Sequence, residues 1–241
     1  MQHKVIDTND VVIRFAGDSG DGMQLTGSLF ADMSAVFGNR LSTFPDYPAE
    51  IRAPHGTVSG VSGFQVHIGC GNVCTPGDFC DMLVAMNPAA LKANAKWLKR
   101  TAMLLVDGDA FDEAGLRRAG LTDDPFTELH IEDRCIIVAP ISSLTEESLK
   151  DSGLDRKAIL KCKNMFTLGM ACFIFSRPME YIFQYLERKF GRKHPELVAP
   201  NRKVLQDGYN YAANIQAIPN TYSVAPAKQK KGTYRNITGN Q

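Results

Sequence analysis

The sequence predicts an α/β fold with a largely parallel β-sheet, and two features predict it. The runs at 82–87 (MLVAMN), 102–108 (AMLLVDG) and 135–141 (CIIVAPI) are densely apolar, which is typical of strands covered on both faces. A segment with helical character separates the first two of these runs, and strand–helix–strand alternation favours a parallel sheet. With 241 residues and 44% hydrophobic composition, the chain is long enough to bury one sizeable core.

The first predicted elements surround a glycine-rich loop. Residues 11–15 (VVIRF) are β-branched and apolar, which predicts a strand. From 23 to 37 the apolar residues keep a helical period, and Gly38 stands where a helix C-cap glycine is expected. The loop between them, 14–27, reads RFAGDSGDGMQLTG.

The middle of the chain predicts an extended loop and further strands. The prolines at 45, 48 and 54 indicate an extended loop for the segment that begins at residue 40. Residues 58–68 then alternate, with Phe64, Val66 and Ile68 on one face and Gln65 and His67 on the other. A helix is predicted for 88–99, with Pro88 in its first turn.

The last third is predicted to be helical, followed by a tail. Helices are expected at 163–176, 178–190 and about 195–214. Residues 219–241 contain two prolines and clustered lysines (Lys228, Lys230 and Lys231) and little apolar content, which predicts a solvated linker. The predicted organisation is therefore a domain over 1–218 and an extended linker tail over 219–241.

Charge and composition argue against several classes of protein. Lys and Arg number 27 against 26 Asp and Glu, so no strong field attracts nucleic acid or an anionic membrane. The N-terminus has no apolar signal-peptide core, and the uncharged apolar stretch 164–176 is too short to span a bilayer. These features favour a cytoplasmic protein whose six cysteines are reduced thiols.

The glycine loop fits none of three common phosphate-binding signatures. Its order, Gly17-x-x-Gly20-x-Gly22, reverses the G-x-G-x-x-G of dinucleotide sites, and no acid is well placed for ribose hydroxyls. The loop has no Gly-Lys-Ser/Thr ending for a nucleoside triphosphate, and Gly-Asp-Gly lacks the downstream asparagine of a thiamine diphosphate site. The plain alternative is that these glycines only turn the chain and admit helix–sheet packing.

Other candidate chemistry is sparser. Cys70, Cys74 and Cys80 have the spacing C-x3-C-x5-C, which matches neither a ferredoxin run nor a zinc knuckle. Asp107 and Asp109 follow a strand, where parallel sheets keep their sites, although solvated loop acids are the simpler interpretation. His67 is expected to be a surface or packing histidine.

Three stretches together carry a family resemblance: GDSGDGMQLTGSLFADMSAVFG, FPDYPAEIRAPHGTVSGVSGFQVHIG and KNMFTLGMA. They resemble the γ domain of 2-oxoacid:ferredoxin oxidoreductases, in particular the N-terminal part of the α subunit of the 2-oxoglutarate type. YPAEIR (47–52) is the most specific of these motifs. The final YRNITGNQ resembles the entry to a thiamine pyrimidine-binding domain, so the chain is expected to be part of a longer subunit.

The resemblance implies a three-layer, Rossmann-like domain within a thiamine-dependent enzyme. The complex would decarboxylate a 2-oxoacid oxidatively to acyl-CoA, with 2-oxoglutarate favoured over other oxoacids, and would pass electrons to ferredoxin. It would use thiamine diphosphate, Mg²⁺ and an iron–sulfur cluster, with coenzyme A as co-substrate. Its β subunit and ferredoxin are the implied partners. This chain would bind no cofactor by itself, would contain no catalytic residue and would act as a lid that contacts coenzyme A.

The resemblance also implies a set of ligand-facing residues. The loop and the YPAEIR segment would form two walls, with Arg52 as the only cation there that could pair with a phosphate or carboxylate. A salt bridge of Arg52 to Glu50 or Asp46 is an equally weighted alternative. Purely structural or assembly roles, and an independent nucleotide-binding enzyme, remain the other two hypotheses. The expected ligand-facing residues are Gly17, Asp18, Ser19, Gly20, Asp21, Gly22, Tyr47, Glu50, Arg52 and His55.

Overall fold

The structure is a computed structural model that describes residues 4–47, 60–215, 217–228, 230 and 232–233. Within these residues the strands are β1 (Lys4–Thr8), β2 (Asp10–Asp18), β3 (Arg40–Asp46), β4 (Val61–Gly69), β5 (Cys80–Ala85), β6 (Leu98–Asp107), β7 (Cys135–Ala139) and β8 (Asn220–Val224). The α-helices are α1 (Met23–Phe37), α2 (Pro88–Asn94), α3 (Glu113–Ala119), α4 (Pro125–Glu128), α5 (Ile141–Leu149), α6 (Arg156–Leu160), α7 (Lys163–Ile174), α8 (Glu180–Phe190) and α9 (Val198–Asn214). Short 3₁₀ turns cover Ala95–Trp97, Gly108–Ala110 and Pro195–Leu197.

The main sheet has six strands in the order β3-β4-β2-β5-β6-β7. Strands β2, β5, β6 and β7 are mutually parallel, whereas β4 runs antiparallel to both β2 and β3. The chain leaves β2 toward one edge of the sheet and later returns to β5 on the other side of β2. The predicted α/β fold with a largely parallel sheet is therefore confirmed.

Helices cover both faces of this sheet, which gives the predicted three layers. On β2, Ile13 and Phe15 pack into a core that also contains Phe30 of α1 and Phe166 of α7. The alternate residues of the same strand, such as Ala16, face a second core. Because successive side chains of a strand point to opposite faces, a strand buried on both sides is apolar throughout.

Helix ends confirm the local signals in the sequence. Gly38 adopts a left-handed conformation with φ 106° and caps α1 through its backbone N–H. Asn87 precedes Pro88, and its side chain accepts a hydrogen bond from the N–H of Ala90. The α2 helix is shorter than predicted, because the chain passes through a 3₁₀ turn and enters β6 at Leu98.

The prediction of an extended loop beginning at residue 40 is wrong for 40–46. These residues form β3, an edge strand in which Pro45 is opposite Phe64. Proline is tolerated there because an edge strand leaves one row of its N–H groups without a partner in the sheet. The predicted alternation of β4 is confirmed for Val66 and Ile68, which are fully buried, whereas position 58 lies outside the described residues.

The prediction that 219–241 lies outside the core is wrong for 220–224. These residues form β8, which pairs in parallel with β1 in a separate two-stranded sheet. Val224 is 2% exposed, and the side-chain amide of Asn39 donates to the carbonyl of Ala225 at 2.8 Å. The boundary between a domain at 1–218 and a following linker stays a prediction. Among the described residues, no helix has the length and apolar content needed to cross a membrane.

Candidate functional site

The glycine loop lies at the carboxyl end of β2, where the chain changes its direction of travel across the sheet. In open α/β sheets, ligands bind in the crevice at such a switch point. A cavity of about 340 Å³ opens there, between the loops that follow β2, β5 and β6 and the start of α7. Its walls include Asp18, Asp21, Asn87, Ala110, Arg118 and Lys163.

Asp21 holds the loop in shape through hydrogen bonds and an ion pair. One carboxylate oxygen accepts a hydrogen bond from the N–H of Asp18 at 2.8 Å, and the other pairs with Nζ of Lys163 at 2.7 Å. The N–H of Asp21 donates in turn to the carbonyl of Asp18 at 2.9 Å. Both carboxylate oxygens are thus engaged within the loop and with α7, and a ligand contact of Asp21 stays a prediction.

Asp18 lies at the mouth of the cavity with a perturbed acidity. Desolvation raises the pKa of its carboxyl, and the nearby charge of Asp21 raises it further. A hydrogen bond from Asn87 and the charges of Lys163 and Arg118 act in the opposite direction. The pKa of Asp18 is raised overall, so its ionised form is less favourable here than in water. An acid with a perturbed pKa in a cleft indicates a candidate functional site.

The three loop glycines have different physical roles. Gly22 has φ 74°, and a Cβ there would lie 2.6 Å from Nδ2 of Asn164. On Gly17 a Cβ would lie 2.7 Å from the carboxylate of Asp21, so this glycine lets the loop close on itself. Gly20 has no positive φ, and a Cβ at this position would meet no other side chain or backbone within 4 Å. Packing therefore requires glycine at 17 and 22, whereas at 20 the missing side chain leaves the loop surface open.

Cationic side chains flank the loop on two sides. Arg118 and Lys163 line the cavity, and a shallower groove of about 680 Å³ on the far side of Gly20 is lined by basic residues of α6 and its surroundings. These cations stand outside the YPAEIR segment, in which Arg52 was the only cation expected, and the role of Arg52 stays a prediction because residue 52 lies outside the described residues. The basic residues of the groove are Arg156, Lys157, Lys161 and Lys163.

The remaining predicted site residues divide into two groups. Ser19 is exposed on the loop, and its hydroxyl donates to the carbonyl of Gly60 at 3.4 Å. Tyr47, just after β3, is 68% exposed and lines neither the cavity nor the groove. Glu50, Arg52 and His55 lie outside the described residues.

Asp46 has a partner within the fold. Arg14 of β2 forms an ion pair with Asp46 and also donates to Asn94 at 2.5 Å and to Gln65 at 3.1 Å. Arg14 is buried, so this network satisfies a charge that would otherwise be costly. The pair fixes the end of β3, from which the YPAEIR segment departs.

Asp107 and Asp109 cap a helix, so the simpler interpretation as solvated loop acids is wrong for Asp107. The carboxylate of Asp107 is fully buried and accepts from the N–H and hydroxyl of Ser142, the latter at 2.7 Å. Asp109 accepts from the N–H and hydroxyl of Ser143. Burial raises the pKa of Asp107 despite these bonds. The two acids satisfy N–H groups of the first turn of α5 and are not free for ligand chemistry.

No metal centre is formed by the described residues. Among them, no group of three or more His, Cys, Asp or Glu side chains is arranged to hold an ion. Cys70, Cys74 and Cys80 are free thiols, and the last is buried beside the carbonyl of Trp97. His67 contacts the carbonyl of Thr75 and the carboxylate of Asp10, as a packing histidine would.

Sequence reasoning missed Asn87, Arg118 and Lys163. Asn87 carries a recognisable signal, because Asn before Pro at the start of a helix is a typical N-cap. Arg118 and Lys163 carry none, because each comes from a helix distant in sequence from the loop. Only the packing of α3 and α7 against the carboxyl edge of the sheet brings these two cations to the cavity.

Comparisons with known proteins place this geometry in a family context. Residues 12–211 match the family described as Pyruvate ferredoxin/flavodoxin oxidoreductase. The chain is 43% identical over 231 residues to the 2-oxoglutarate oxidoreductase subunit KorA of Mycobacterium tuberculosis, which covers 96% of this chain and 35% of that relative. The chain thus spans about a third of the length of this curated relative.

Solved structures share the fold at low sequence identity. A 2-oxoglutarate:ferredoxin oxidoreductase from Magnetococcus marinus, with 2-oxoglutarate, coenzyme A and succinyl-CoA bound, matches with a TM-score of 0.69 and 23% identity, over 92% of this chain and 34% of its own. The γ subunit of a keto/oxoacid ferredoxin oxidoreductase from Geobacter sulfurreducens matches with a TM-score of 0.57 and 22% identity, over 85% of this chain and 99% of its own. The pyruvate oxidoreductase subunit PORC of Thermotoga maritima matches with a TM-score of 0.56 and 19% identity, over 84% of this chain and 97% of its own.

Proposed function

The chain belongs to the pyruvate ferredoxin/flavodoxin oxidoreductase family, and we propose that it is the coenzyme A-contacting module of a 2-oxoglutarate:ferredoxin oxidoreductase. The complex would convert a 2-oxoacid and coenzyme A to an acyl-CoA and carbon dioxide, and ferredoxin would take up the two electrons released. The 43% identity to a 2-oxoglutarate oxidoreductase subunit favours 2-oxoglutarate as the oxoacid. A β subunit and ferredoxin are the proposed partners.

The described residues do not fit thiamine diphosphate or its metal ion. Gly20-Asp21-Gly22 would have to offer a carboxylate to Mg²⁺, yet both oxygens of Asp21 are engaged by Lys163 and by the N–H of Asp18. The described cysteines form no cluster that suits an iron–sulfur centre. We therefore assign the decarboxylation and electron transfer to other parts of the complex and propose no catalytic residue among the described positions.

The observation that carries the proposal is the charge around the glycine loop. Gly20 leaves the loop surface open, and cations stand on both of its sides: Arg118 and Lys163 in the cavity, Lys157 and Lys161 in the groove. Coenzyme A carries phosphates at one end and a long polar arm at the other. Its phosphates match the cationic groove, since guanidinium and ammonium groups form the stronger, charge-assisted hydrogen bonds with phosphate.

The alternative of a purely structural module also has support. On Gly27 of α1 a Cβ would lie 2.4 Å from the ring of Phe64, and Gly22 is crowded by Asn164. Both glycines are therefore required by packing whether or not a ligand binds. The alternative differs from our proposal at Gly20, Arg118 and Lys157, which have no comparable packing role.

The proposal is tested by calorimetry of coenzyme A binding to the 241-residue chain and to the assembled complex. Arg118→Gln and Lys157→Gln are each expected to weaken binding about tenfold, the value of one charged hydrogen bond. Arg117→Gln is the matched control, because Arg117 neighbours Arg118 on α3 but pairs with Glu113 and lines neither site.

Each outcome of this titration has one meaning. Binding by the chain alone, weakened at Arg118 or Lys157 only, supports a site within this domain. Binding only by the complex, with the same sensitivity, supports one wall of an interface site. Binding unchanged in both variants, or no binding in either preparation, leaves the structural module as the better account.

A further inference from the structure

A second groove, of about 760 Å³, shares no lining residue with the cavities beside the glycine loop. It lies between the β1–β8 ribbon, the end of α1, the turn that joins α7 to α8, and α9. Apolar side chains dominate its walls, and one arginine lies among them. Its walls include Val5, Phe37, Pro178, Tyr209 and Arg177.

Arg177 is a buried cation without a counter-ion among the described residues. Arg177 is only 3% exposed, and its Nε and Nη2 have no hydrogen-bond partner within the part of the chain that the structure describes. The ion pairs of the described residues do not include Arg177. The ring of Phe37 lies over its guanidinium, 4.5 Å from the guanidinium carbon. Burial lowers the pKa of Arg177 to about 10, so the group is still positively charged at neutral pH.

The two unpaired nitrogens share one edge of the guanidinium. Nε–H and one N–H of Nη2 point in parallel, which is the arrangement that binds a carboxylate with two hydrogen bonds. An uncompensated buried charge is strongly destabilising, whereas the same charge with a bidentate partner is tolerated. A carboxylate supplied from outside would therefore satisfy a need that the described chain leaves open.

The backbone directs Arg177 inward by a defined turn. Ser176 has φ 52°, and the N–H of Arg177 donates back to the carbonyl of Cys172 at 2.8 Å, which closes the end of α7 as a Schellman-type cap. The residue at this place in the motif is commonly hydrophobic and packs on the helix. An arginine in its place keeps a positive charge at the floor of an apolar groove.

The strand pair beside the groove is also incompletely covered. β1 and β8 form a two-stranded parallel sheet, an arrangement that is marginal unless both faces are packed. β1 is the more exposed strand of the pair, and its Val5 is 58% exposed. At the end of α1, Val36 and Phe37 are 69% and 36% exposed. Val5 and Phe37 both line the groove, and exposed apolar side chains that share a groove are typical of a protein-binding surface.

We propose that this groove docks an extended protein segment that places one Asp or Glu carboxylate on Arg177 and apolar side chains against Val5 and Phe37. A protein segment is favoured over a small anion because the charge lies within an apolar surface and in the same groove as the exposed strand β1. Phe37 covers the guanidinium in the free chain. Phe37 is the last residue of α1, and its ring is partly exposed. We expect this ring to rotate away from the guanidinium when the segment binds.

The test follows the Nε–H resonance of Arg177 by ¹H–¹⁵N NMR on the 241-residue chain, with the resonance assigned by its loss in Arg177→Met. The probes are acetyl-Leu-Glu-Phe-amide, its isosteric control acetyl-Leu-Gln-Phe-amide, and inorganic phosphate. We expect the Glu peptide to shift this resonance and the amide of Val5. The Gln peptide should bind about tenfold more weakly, the loss of one charged hydrogen bond.

A second measurement separates docking from a structural role. Arg177→Met keeps an apolar stem of similar length and removes the unpaired charge, so its unfolding temperature should equal or exceed that of the parent chain while binding of the Glu peptide is lost. A clear drop in unfolding temperature would show that Arg177 is structural. Equal binding of the two peptides, equal effects of phosphate and the Glu peptide, no shift at all, or a dimer that Arg177→Met dissolves would each overturn the proposal.

Discussion

The contact between α7 and α9 and position 20 of the glycine loop after β2 use glycine for opposite reasons. Where the two helices meet, a Cβ on Gly169 would lie 2.1 Å from the carbonyl oxygen of Leu205, and one on Gly208 would lie 2.1 Å from that of Phe166. In the loop, a Cβ on Gly20 would meet nothing within 4 Å. The comparison shows that a glycine can be imposed by packing or can keep a surface open, and only its surroundings tell which.

The two regions are also mechanically connected. Lys163 and Asn164, at the start of α7, contact Asp21 and crowd Gly22 in the loop. The hydroxyl of Thr26 in α1 lies 3.5 Å from the carbonyl of Asn164. The closely packed helix pair therefore supplies a rigid support, and the loop that it supports presents the open surface.

The largest effect is expected from Gly208→Ala. Because the added methyl group meets a backbone carbonyl rather than a movable side chain, the helices must separate, and the free energy of unfolding should fall by about 3 kcal/mol or more. Urea unfolding followed by circular dichroism measures this change. Gly71→Ala, where a Cβ meets nothing within 4 Å, is the control. Equal stability of the two variants would show that α7 and α9 do not approach this closely.

Gly22→Ala should destabilise the chain by a smaller amount. A left-handed backbone at a residue with a Cβ costs about 1–2 kcal/mol, and the contact with Asn164 adds to it. Replacing Asn164 by Ala in the same background should recover the steric part and leave the backbone part. If the double variant is no more stable than expected from the two single changes added together, the crowding at Asn164 is not real.

Asp18→Asn tests the electrostatics of the loop without altering its packing. At neutral pH the carboxylate opposes an anionic ligand, so the variant should bind coenzyme A about two- to fivefold more tightly, as expected for one exposed charge. The folded-state pKa of Asp18 is raised above the ordinary 3.8, so protonation begins at a higher pH than in water. The ratio of the coenzyme A dissociation constants of the parent chain and of Asp18→Asn should approach one as the pH falls and Asp18 becomes protonated. A ratio that stays constant with pH would exclude Asp18 from the site.

The smallest effect on stability is expected at Gly20. Gly20→Ala should change the free energy of unfolding by less than about 0.5 kcal/mol, because the position has an ordinary backbone and open space. Coenzyme A binding should nevertheless weaken, since the methyl group covers loop surface between the two cationic sides. Calorimetry of this variant, with Gly71→Ala as the control, measures both the stability and the affinity for coenzyme A. Unaltered binding would favour the structural module.

Much of the fold followed from local patterns in the sequence. The bounds of α1, its C-cap at Gly38, the buried parallel strands and the late helices depend on periodicity and capping within a few residues. The glycine loop was predicted as the ligand-facing surface, and the cavity at the carboxyl end of β2 lies against it. The separate roles of Gly17, Gly20 and Gly22 were not predictable, because they depend on what stands opposite each position.

The sequence by itself therefore determined the α/β class, the segments that form the buried parallel strands and the position of the loop, since hydrophobic period and turn chemistry act over short distances. Only the tertiary structure decided that 220–224 pair with 4–8, that Asp107 caps α5 rather than facing solvent, and that Arg118 and Lys163 flank the loop. Each of these depends on segments far apart in the chain, and side-chain and strand pairings between such segments leave no periodic signal in either partner.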